Sequence, residues 1–283
     1  MKIFERIADI KEYILFQKVK GKTVGLVPTM GYLHEGHASL IDRSAAENDI
    51  TVVSVFVNPT QFAPNEDFAS YPRDLAADIA LAEQHGAEII FAPSAEEMYP
   101  NGYNTYVDVH ELTQGLCGKA RPTHFRGVTT VVCKLFNITM PNRAYFGQKD
   151  AQQLAVITRM TRDLDMGIAI VPCPIIRESD GLAKSSRNVY LSANERSRAV
   201  ILHKSLCMAN DMIIGGERNV QTVRDAIVQM LESAAPTLID YAEVVSADTL
   251  APITSLTGRV LIALAVKFGN TRLIDNIIVD VCD

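Results

Sequence analysis

The stretch VGLVPTMGYLHEGH, residues 24–37, joins a buried apolar run to a polar turn, and it decides how the rest of the chain can fold. Its first four residues are apolar and predict a strand, while Gly36 and His37 open the amphipathic segment HASLIDRSAAEN, which predicts a helix. A buried strand that turns directly into a helix is the first half of a βαβ unit. The stretch therefore predicts an α/β fold with a parallel sheet.

The same alternation of strand and helix continues over the first two thirds of the chain. The segments that predict strands are residues 23–27, 50–57, 87–93, 143–147 and 168–174. Helical patterns separate them, which predicts a Rossmann-like, doubly wound parallel sheet with helices on both faces. We assign this domain to residues 1–176 and expect its ligands at the carboxyl ends of the strands.

The pattern changes after residue 176 and indicates a second, smaller domain. Two long helical segments, residues 193–214 and 219–234, are followed by three strand-like runs at 241–247, 259–268 and 273–279. Short turns join these runs, so an antiparallel sheet packed on the two helices is the simplest arrangement. Residues 177–283 are thus predicted to form a smaller α+β domain, and the polar loop near its start, described below, makes this domain the expected lid.

Composition excludes several classes of function. The 283 residues are 48% hydrophobic and 21% charged, as expected of a folded globular protein, and the net charge of -6 argues against a general nucleic-acid or membrane binder. The N-terminus lacks the apolar block of a signal peptide, so we expect a cytoplasmic protein. The five cysteines form no CxxC pair, which predicts buried, inert thiols, without a disulfide framework or a zinc site.

The turn PTMGYLHEGH is the strongest candidate for chemistry. A helix start offers unpaired N–H groups and the positive end of a dipole, both of which suit phosphate. His34 and His37 beside it can donate hydrogen bonds to phosphate oxygens as negative charge develops. Metal binding by the two histidines is the competing interpretation, although no third ligand is evident apart from Glu35.

Two further strand ends carry polar side chains. VFVNPTQF places Asn58 and Gln61 after the second predicted strand, and neutral amides suit hydroxyls and carboxylates because each has a donor and an acceptor. FGQKDAQQ places Lys149 at a helix start, where its charge can contact phosphate, and Gln153 one helical turn later. Taken alone, each is also compatible with an ordinary turn.

The loop DGLAKSSRNVYLS brings two cations and two hydroxyls into four consecutive residues, Lys184 to Arg187. Such a run can neutralise a triphosphate that leaves as pyrophosphate, and it can close over the reacting groups. Asp78 lies in a helical segment after YPRDL and can hold magnesium through water, although solvated helix charges are the alternative.

These motifs together resemble those of the pantoate-beta-alanine ligases, also called pantothenate synthetases, in the HxGH nucleotidyltransferase superfamily. The motifs are PTMGYLHEGH, SVFVNPTQF, YPRDL, YFGQKDAQQ, DGLAKSSRNVYLS and RLIDN, in this order and over nearly the whole chain. The resemblance implies that ATP and pantoate give pantoyl adenylate and pyrophosphate, and that β-alanine then gives pantothenate and AMP. It also implies Mg²⁺ and a homodimer.

Residue roles follow from the resemblance at the matching positions. His37 would be the proton donor, assisted by His34, Lys149, Ser185, Ser186 and Arg187. The implied ATP-binding residues are Met30, Gly31, Tyr32, Leu33, His34, Glu35, Gly36, His37, Gly147, Gln148, Lys149, Asp150, Ile176, Lys184, Ser185, Ser186 and Arg187. Gln61, Gln153 and Asn58 would contact the substrates, and Asp78 would lie near magnesium.

Two positions depart from the family pattern, and two other functions compete. Many members have an apolar residue where Lys184 stands, and a glycine where this chain has Thr123, which disfavours a positive φ. An adenylyltransferase of the same superfamily would retain a nucleotide in its product. A non-catalytic regulator would bind the nucleotide without turnover.

Overall fold

A computed structural model describes residues 1–64 and 66–281 of the chain. The chain divides into two compact units. The first unit contains Met1–His110, Arg121–Gln148 and Gln153–Pro174, and the second contains Glu111–Ala120, Lys149–Gln152 and Ile175–Asp283. Two short internal segments thus belong to the second unit together with the C-terminal part of the chain.

The first unit is built on a six-stranded sheet in which every pairing is parallel. In chain order its strands are β1 (Lys2–Phe4), β2 (Val24–Thr29), β3 (Ile50–Val55), β4 (Ile89–Phe91), β5 (Arg143–Gly147) and β6 (Ala169–Cys173). The spatial order is β1-β4-β3-β2-β5-β6. The chain therefore reverses its direction across the sheet between β2 and β5, which is where open α/β sheets bind ligands.

The connections of the first sheet are mainly helical. The helices are α1 (Ile7–Val19), α2 (Glu35–Glu47), α3 (Leu75–Gln84), α4 (Ala95–Met98), α6 (His124–Thr139) and α7 (Ala151–Asp163), while α5 (Leu116–Ala120) lies in the second unit. Short 3-10 helices span Pro59–Gln61 and Gln148–Asp150. Gly25 explains the close approach of α2 to β2, because a Cβ atom there would collide with the side chains of Ser44 and Asn48.

The second unit has a three-stranded antiparallel sheet that packs on the helices α9 and α10, whose bounds follow. Its strands β7 (Leu238–Ser246), β8 (Gly258–Phe268) and β9 (Thr271–Val281) lie side by side in chain order. The helices are α8 (Ala193–Ala199), α9 (Ile201–Ile214) and α10 (Val220–Ser233), and a 3-10 helix spans Ser186–Tyr190. Leucine, isoleucine and valine side chains from α9, α10 and the sheet form one buried core.

The predicted fold class is confirmed, with local corrections. β1 was not predicted, because three residues are too few to show a period. The helical pattern at 193–214 divides at Val200 into α8 and α9. Cys173 is buried as expected, but Cys117 and Cys133 are only partly buried and Cys207 is exposed, while Cys282 lies outside the described residues. Within residues 1–64 and 66–281, no helix has the length and apolar character needed to cross a membrane.

Candidate active site

The loop between β2 and α2 is held by a buried carboxylate. The backbone N–H groups of Tyr32 and Leu33 donate to the two oxygens of Asp78, at 2.9 and 2.6 Å. Gly31 and Tyr32 both have positive φ, and a Cβ atom on Gly31 would approach Asp78 to 2.9 Å. Asp78 is only 2% exposed, and this burial raises the pKa of its carboxyl against the opposing effect of the two N–H groups.

The two histidines cap α2 reciprocally. Nδ1 of His34 accepts from the N–H of Gly36 at 3.1 Å, and Nδ1 of His37 accepts from the N–H of His34 at 3.2 Å. An accepting Nδ1 carries no proton, so the proton of each neutral ring is assigned to Nε2. The ring centroids are 4.1 Å apart. The loop therefore places two neighbouring imidazoles, each with an Nε2–H donor, at a helix N-terminus.

Asn58 and Gln61 form a buried pair after β3. Asn58 is 1% exposed and caps the 3-10 helix Pro59–Gln61, and Gln61 is 8% exposed. The Asn58 amide nitrogen donates to Oε1 of Gln61 at 3.1 Å and to the carbonyl of Gly127 at 3.1 Å. Since Oε1 of Gln61 faces Asn58, its NH₂ group is directed to Sδ of Met30 at 3.1 Å. Gln61 thus offers donors on the side that faces the β2 loop.

Tyr99 orients this amide pair, and sequence reasoning missed it. Its hydroxyl donates to Oδ1 of Asn58 at 2.8 Å, and the N–H of Thr60 donates to the same oxygen. Burial raises the pKa of Tyr99 to about 12, so the phenol keeps its proton at neutral pH. Because Oδ1 faces these donors, the Asn58 NH₂ must face Gln61. No spacing rule links Tyr99 to Asn58, since the two residues are 41 positions apart.

Substituting Asp78 by asparagine is expected to destabilise the β2 loop. An asparagine NH₂ would face one of the two backbone N–H donors, which leaves that N–H without its acceptor and lowers the free energy of unfolding by about 1–3 kcal/mol. Urea unfolding measures the change. Asp74→Asn is the matched control, because Asp74 caps α3 and asparagine caps a helix equally well. Equal stability of the two variants would contradict the loop-holding role.

Lys149 and Asp150 belong to the second unit and lie in the 3-10 helix Gln148–Asp150. This helix directly follows β5, which ends at Gly147. The carbonyl oxygen of Lys149 accepts from Nδ2 of Asn276 at 2.9 Å. Burial lowers the pKa of Lys149, Asp150 and Asp275 raise it, and Arg187 lowers it further. The charge of Arg187, another predicted phosphate-binding residue, therefore acts on the pKa of Lys149.

The segment from Ile176 to Arg187 forms a short hairpin followed by a 3-10 helix. The N–H of Lys184 donates to the carbonyl of Ile176 at 2.9 Å, and Ser185 caps the 3-10 helix by accepting from the N–H of Arg187 at 3.3 Å. Nζ of Lys184 pairs with the Glu178 carboxylate at 2.9 Å. Lys184 therefore has an acidic partner within its own hairpin. Ser186 is buried.

The comparisons with known proteins decide the family. A family model described as pantoate-beta-alanine ligase matches residues 2–278. The chain belongs to this family. The resemblance that the six sequence motifs indicated is thereby confirmed. Relatives named pantothenate synthetase include one from Acetivibrio thermocellus, 60% identical over 99% of this chain and 100% of the relative. One from Moorella thermoacetica is 54% identical over the full length of both chains.

Solved structures of the same ligase family share the fold. The crystal structure of pantothenate synthetase from Thermus thermophilus has a TM-score of 0.93 at 43% identity, covering 98% of this chain and 99% of that one. The pantoate-beta-alanine ligase from Francisella tularensis, in complex with beta-gamma ATP and β-alanine, has a TM-score of 0.81 at 34% identity. That match covers 98% of this chain and 97% of the other.

The structure adds two details to the sequence analysis, which concern the backbone at Thr123 and the contacts of Gln152. Thr123, where the resemblance leads us to expect glycine, has φ of -94° and ψ of -10° in the right-handed region, so threonine needs no strained backbone there. Gln152, which the motifs did not single out, is buried and binds the segment 112–117. Its NH₂ group donates to the carbonyls of Leu112 and Gly115, and Oε1 accepts from Cys117 N–H. Gln153 is partly buried on α7.

Proposed function

We propose that this chain catalyses the ATP-dependent ligation of pantoate to β-alanine, in two steps. The pantoate carboxylate attacks the α-phosphate of ATP, which gives pantoyl adenylate and releases pyrophosphate. The amine of β-alanine then attacks the acyl carbon, the bond to AMP breaks, and pantothenate is formed. The observation that carries the proposal is the pair of Nε2–H donors of His34 and His37 at the start of α2, in a member of this ligase family.

In the first step the β2 loop would stabilise negative charge. Charge grows on the phosphate oxygens as pyrophosphate departs, and donors held ready at those positions lower the barrier without any reorganisation. The Nε2–H groups of His34 and His37 and the N-terminus of α2 are such donors. Asp78 supports the same loop from its buried side. We therefore assign His37 as the proton donor to the phosphate, and we propose that the Nε2–H group of the neighbouring His34 assists it.

Substrate recognition is assigned to the amide pair and to Gln153. Gln61 directs its NH₂ toward Met30 on the β2 loop because Asn58 occupies its Oε1, so it suits an acceptor such as a carboxylate or hydroxyl oxygen. Pantoate and β-alanine both carry carboxylates. Gln61 is proposed to contact both substrates, Gln153 to contact pantoate, and Asn58 to set the orientation of Gln61.

ATP is proposed to contact the residues named from the motifs, which are Met30 to His37, Gly147 to Asp150, Ile176, and Lys184 to Arg187. The lid role of residues 177–283 stays a prediction. Slower hydrogen exchange of the Lys184–Arg187 backbone when ATP is added would support it, and unchanged exchange would contradict it.

Magnesium is proposed to arrive with ATP as part of the substrate. The described residues contain no group of three or more histidine, cysteine, aspartate or glutamate side chains placed to hold a metal ion. Both oxygens of Asp78 accept from backbone N–H groups, which favours loop positioning over metal ligation. Magnesium binding near Asp78 stays a prediction. If Asp78 holds the ion, Asp78→Asn will raise the magnesium concentration needed for half-maximal activity.

The decisive assay is the formation of AMP from ATP. The proposal predicts AMP release only when pantoate and β-alanine are both present, and exchange of pyrophosphate into ATP when pantoate alone is present. Retention of the nucleotide in a product would instead indicate an adenylyltransferase. Binding of ATP without any turnover would indicate a regulator, and ATP turnover without either acid would overturn the proposed reaction.

We also propose a cytoplasmic homodimer that binds no nucleic acid. The net charge of -6 supports the proposal that the protein binds no nucleic acid, since nucleic-acid binders display a basic surface. Light scattering tests the assembly, and a mass equal to one chain would contradict the dimer.

A further inference from the structure

The strand β9 carries the motif RLIDN, residues 272–276, which the proposed reaction leaves without a role. Three of its side chains bind three different segments of the second unit. Arg272 donates to Asp240 on β7, Asp275 accepts from Arg177, and Asn276 donates to the carbonyl of Lys149. Two of these partners, Arg177 and Lys149, lie within or beside the segments proposed to contact ATP.

We propose that Asn276 and Asp275 are positioning residues that hold the two phosphate-contacting segments of the second unit on a single strand. Asn276 would fix the turn that carries Lys149, and Asp275 would fix the hairpin that leads to Ser185, Ser186 and Arg187. This inference rests on the proposed ATP-dependent reaction, and it gives the two residues a role that acts through Lys149 and the hairpin.

The contact between Asn276 and Lys149 is buried and directional. Asn276 is 5% exposed, and its Nδ2 lies 2.9 Å from the Lys149 carbonyl oxygen. A carbonyl can only accept, so the asparagine must donate. The bond lies in the turn Gln148–Asp150, where it fixes the peptide that leaves the Lys149 Cα. Since the lysine charge acts on phosphate as a point charge, a shift of its backbone would change how it meets that phosphate.

The contact between Asp275 and Arg177 anchors the hairpin. The two guanidinium nitrogens donate to the two carboxylate oxygens at 2.6 and 2.9 Å, and the Asp275 side chain is 1% exposed. Arg177 also donates to the carbonyl of Gly181 at 3.0 Å and bridges to Ala183. One arginine therefore links β9 to both arms of the hairpin, whose end leads into the 3-10 helix Ser186–Tyr190.

The two anchoring residues, Asp275 and Asn276, are consecutive on β9, and a hydrogen bond joins them. The N–H of Asn276 donates to Oδ1 of Asp275 at 2.8 Å, which couples the orientation of the carboxylate to the peptide that carries the asparagine. Asp275 also acts electrostatically on Lys149. A displacement of β9 at this point would therefore move both segments together.

Asn276→Ala and Asn276→Asp test the proposal in the full-length protein. Alanine removes the donor, and aspartate keeps the side-chain size but has no donor when ionised. For pantoate-dependent exchange of pyrophosphate into ATP, both variants are expected to raise the KM for ATP and to lower kcat by about 10- to 100-fold. The matched control is Asn219→Ala, which removes the cap of α10 in the same unit and should reduce the melting temperature without changing the exchange.

A second measurement needs no turnover. Acetic anhydride labelling followed by mass spectrometry reports how accessible Lys149 is, and the labelling rate should change in both Asn276 variants but not in Asn219→Ala. An unchanged labelling rate, exchange within twofold of the wild type, or an equal loss in Asn219→Ala would each overturn the inference. A wild-type protein without pantoate-dependent exchange would overturn the proposed function instead, and labelling would still decide whether Asn276 positions Lys149.

Discussion

Replacing His37 by alanine is expected to reduce adenylate formation by about 100- to 1,000-fold, while the protein stays folded. The variant removes an Nε2–H donor at the start of α2 and the acceptor of the His34 N–H. The charge that develops on the departing pyrophosphate then loses one of its stabilising donors. Exchange of pyrophosphate into ATP in the presence of pantoate measures this step without the β-alanine reaction.

Two further variants at this position separate capping from donation. In His37→Asn the side-chain oxygen takes the place of Nδ1 and can cap α2, but no donor remains at the Nε2 position. In His37→Gln a donor can reach that position. We expect asparagine to be as inactive as alanine and glutamine to recover part of the activity. His85→Ala, at the C-terminal end of α3, is the control and should keep full activity. Normal exchange by His37→Ala would remove His37 from its assigned role.

Replacing Asp275 by alanine is expected to lower the free energy of unfolding by about 3–5 kcal/mol. The substitution leaves the Arg177 guanidinium largely buried without its bidentate partner, and the hairpin loses its anchor on β9. Urea or thermal unfolding measures the loss. Arg177→Met combined with Asp275→Leu removes both charges and should be more stable than Asp275→Ala alone, because no unpaired charge stays buried.

Asp280→Ala is the control for this second prediction. Asp280 lies on the same strand, its side chain is 78% exposed, and it lies 3.5 Å from Arg259. A pair exposed to this degree contributes little to stability because water and salt screen it. We therefore expect almost no change in Asp280→Ala. A similar small effect in Asp275→Ala would show that the buried pair does not support the fold.

The sequence was sufficient to predict the elements that depend on local patterns. Strand-turn-helix order and apolar periodicity predicted the parallel sheet, and the three late apolar runs predicted the antiparallel sheet, which is confirmed. The glycines and histidines after β2 also identified the candidate loop. These signals are readable because each one lies within a few consecutive residues.

The supporting contacts could not be predicted in the same way. Asp78 lies 45 positions from Leu33, Asn276 lies 127 from Lys149, and Asp275 lies 98 from Arg177. These pairings arise only when distant strands and helices are packed, so no spacing in the sequence indicates them. An acidic residue near a phosphate motif has the same sequence signature whether it binds metal or backbone N–H groups, so the two bonds to Asp78 could not be predicted, and magnesium binding near Asp78 stays a prediction.

The two bonds from Tyr32 and Leu33 to Asp78 also bear on the entropy of binding. A glycine-containing loop normally loses conformational freedom when a ligand orders it, and that loss subtracts from affinity. Here the carboxylate restrains the loop before any nucleotide arrives. In the proposed phosphate site, the interaction energy of the phosphates with the loop would therefore be expressed as affinity and catalysis, because little of it would be consumed in ordering the backbone.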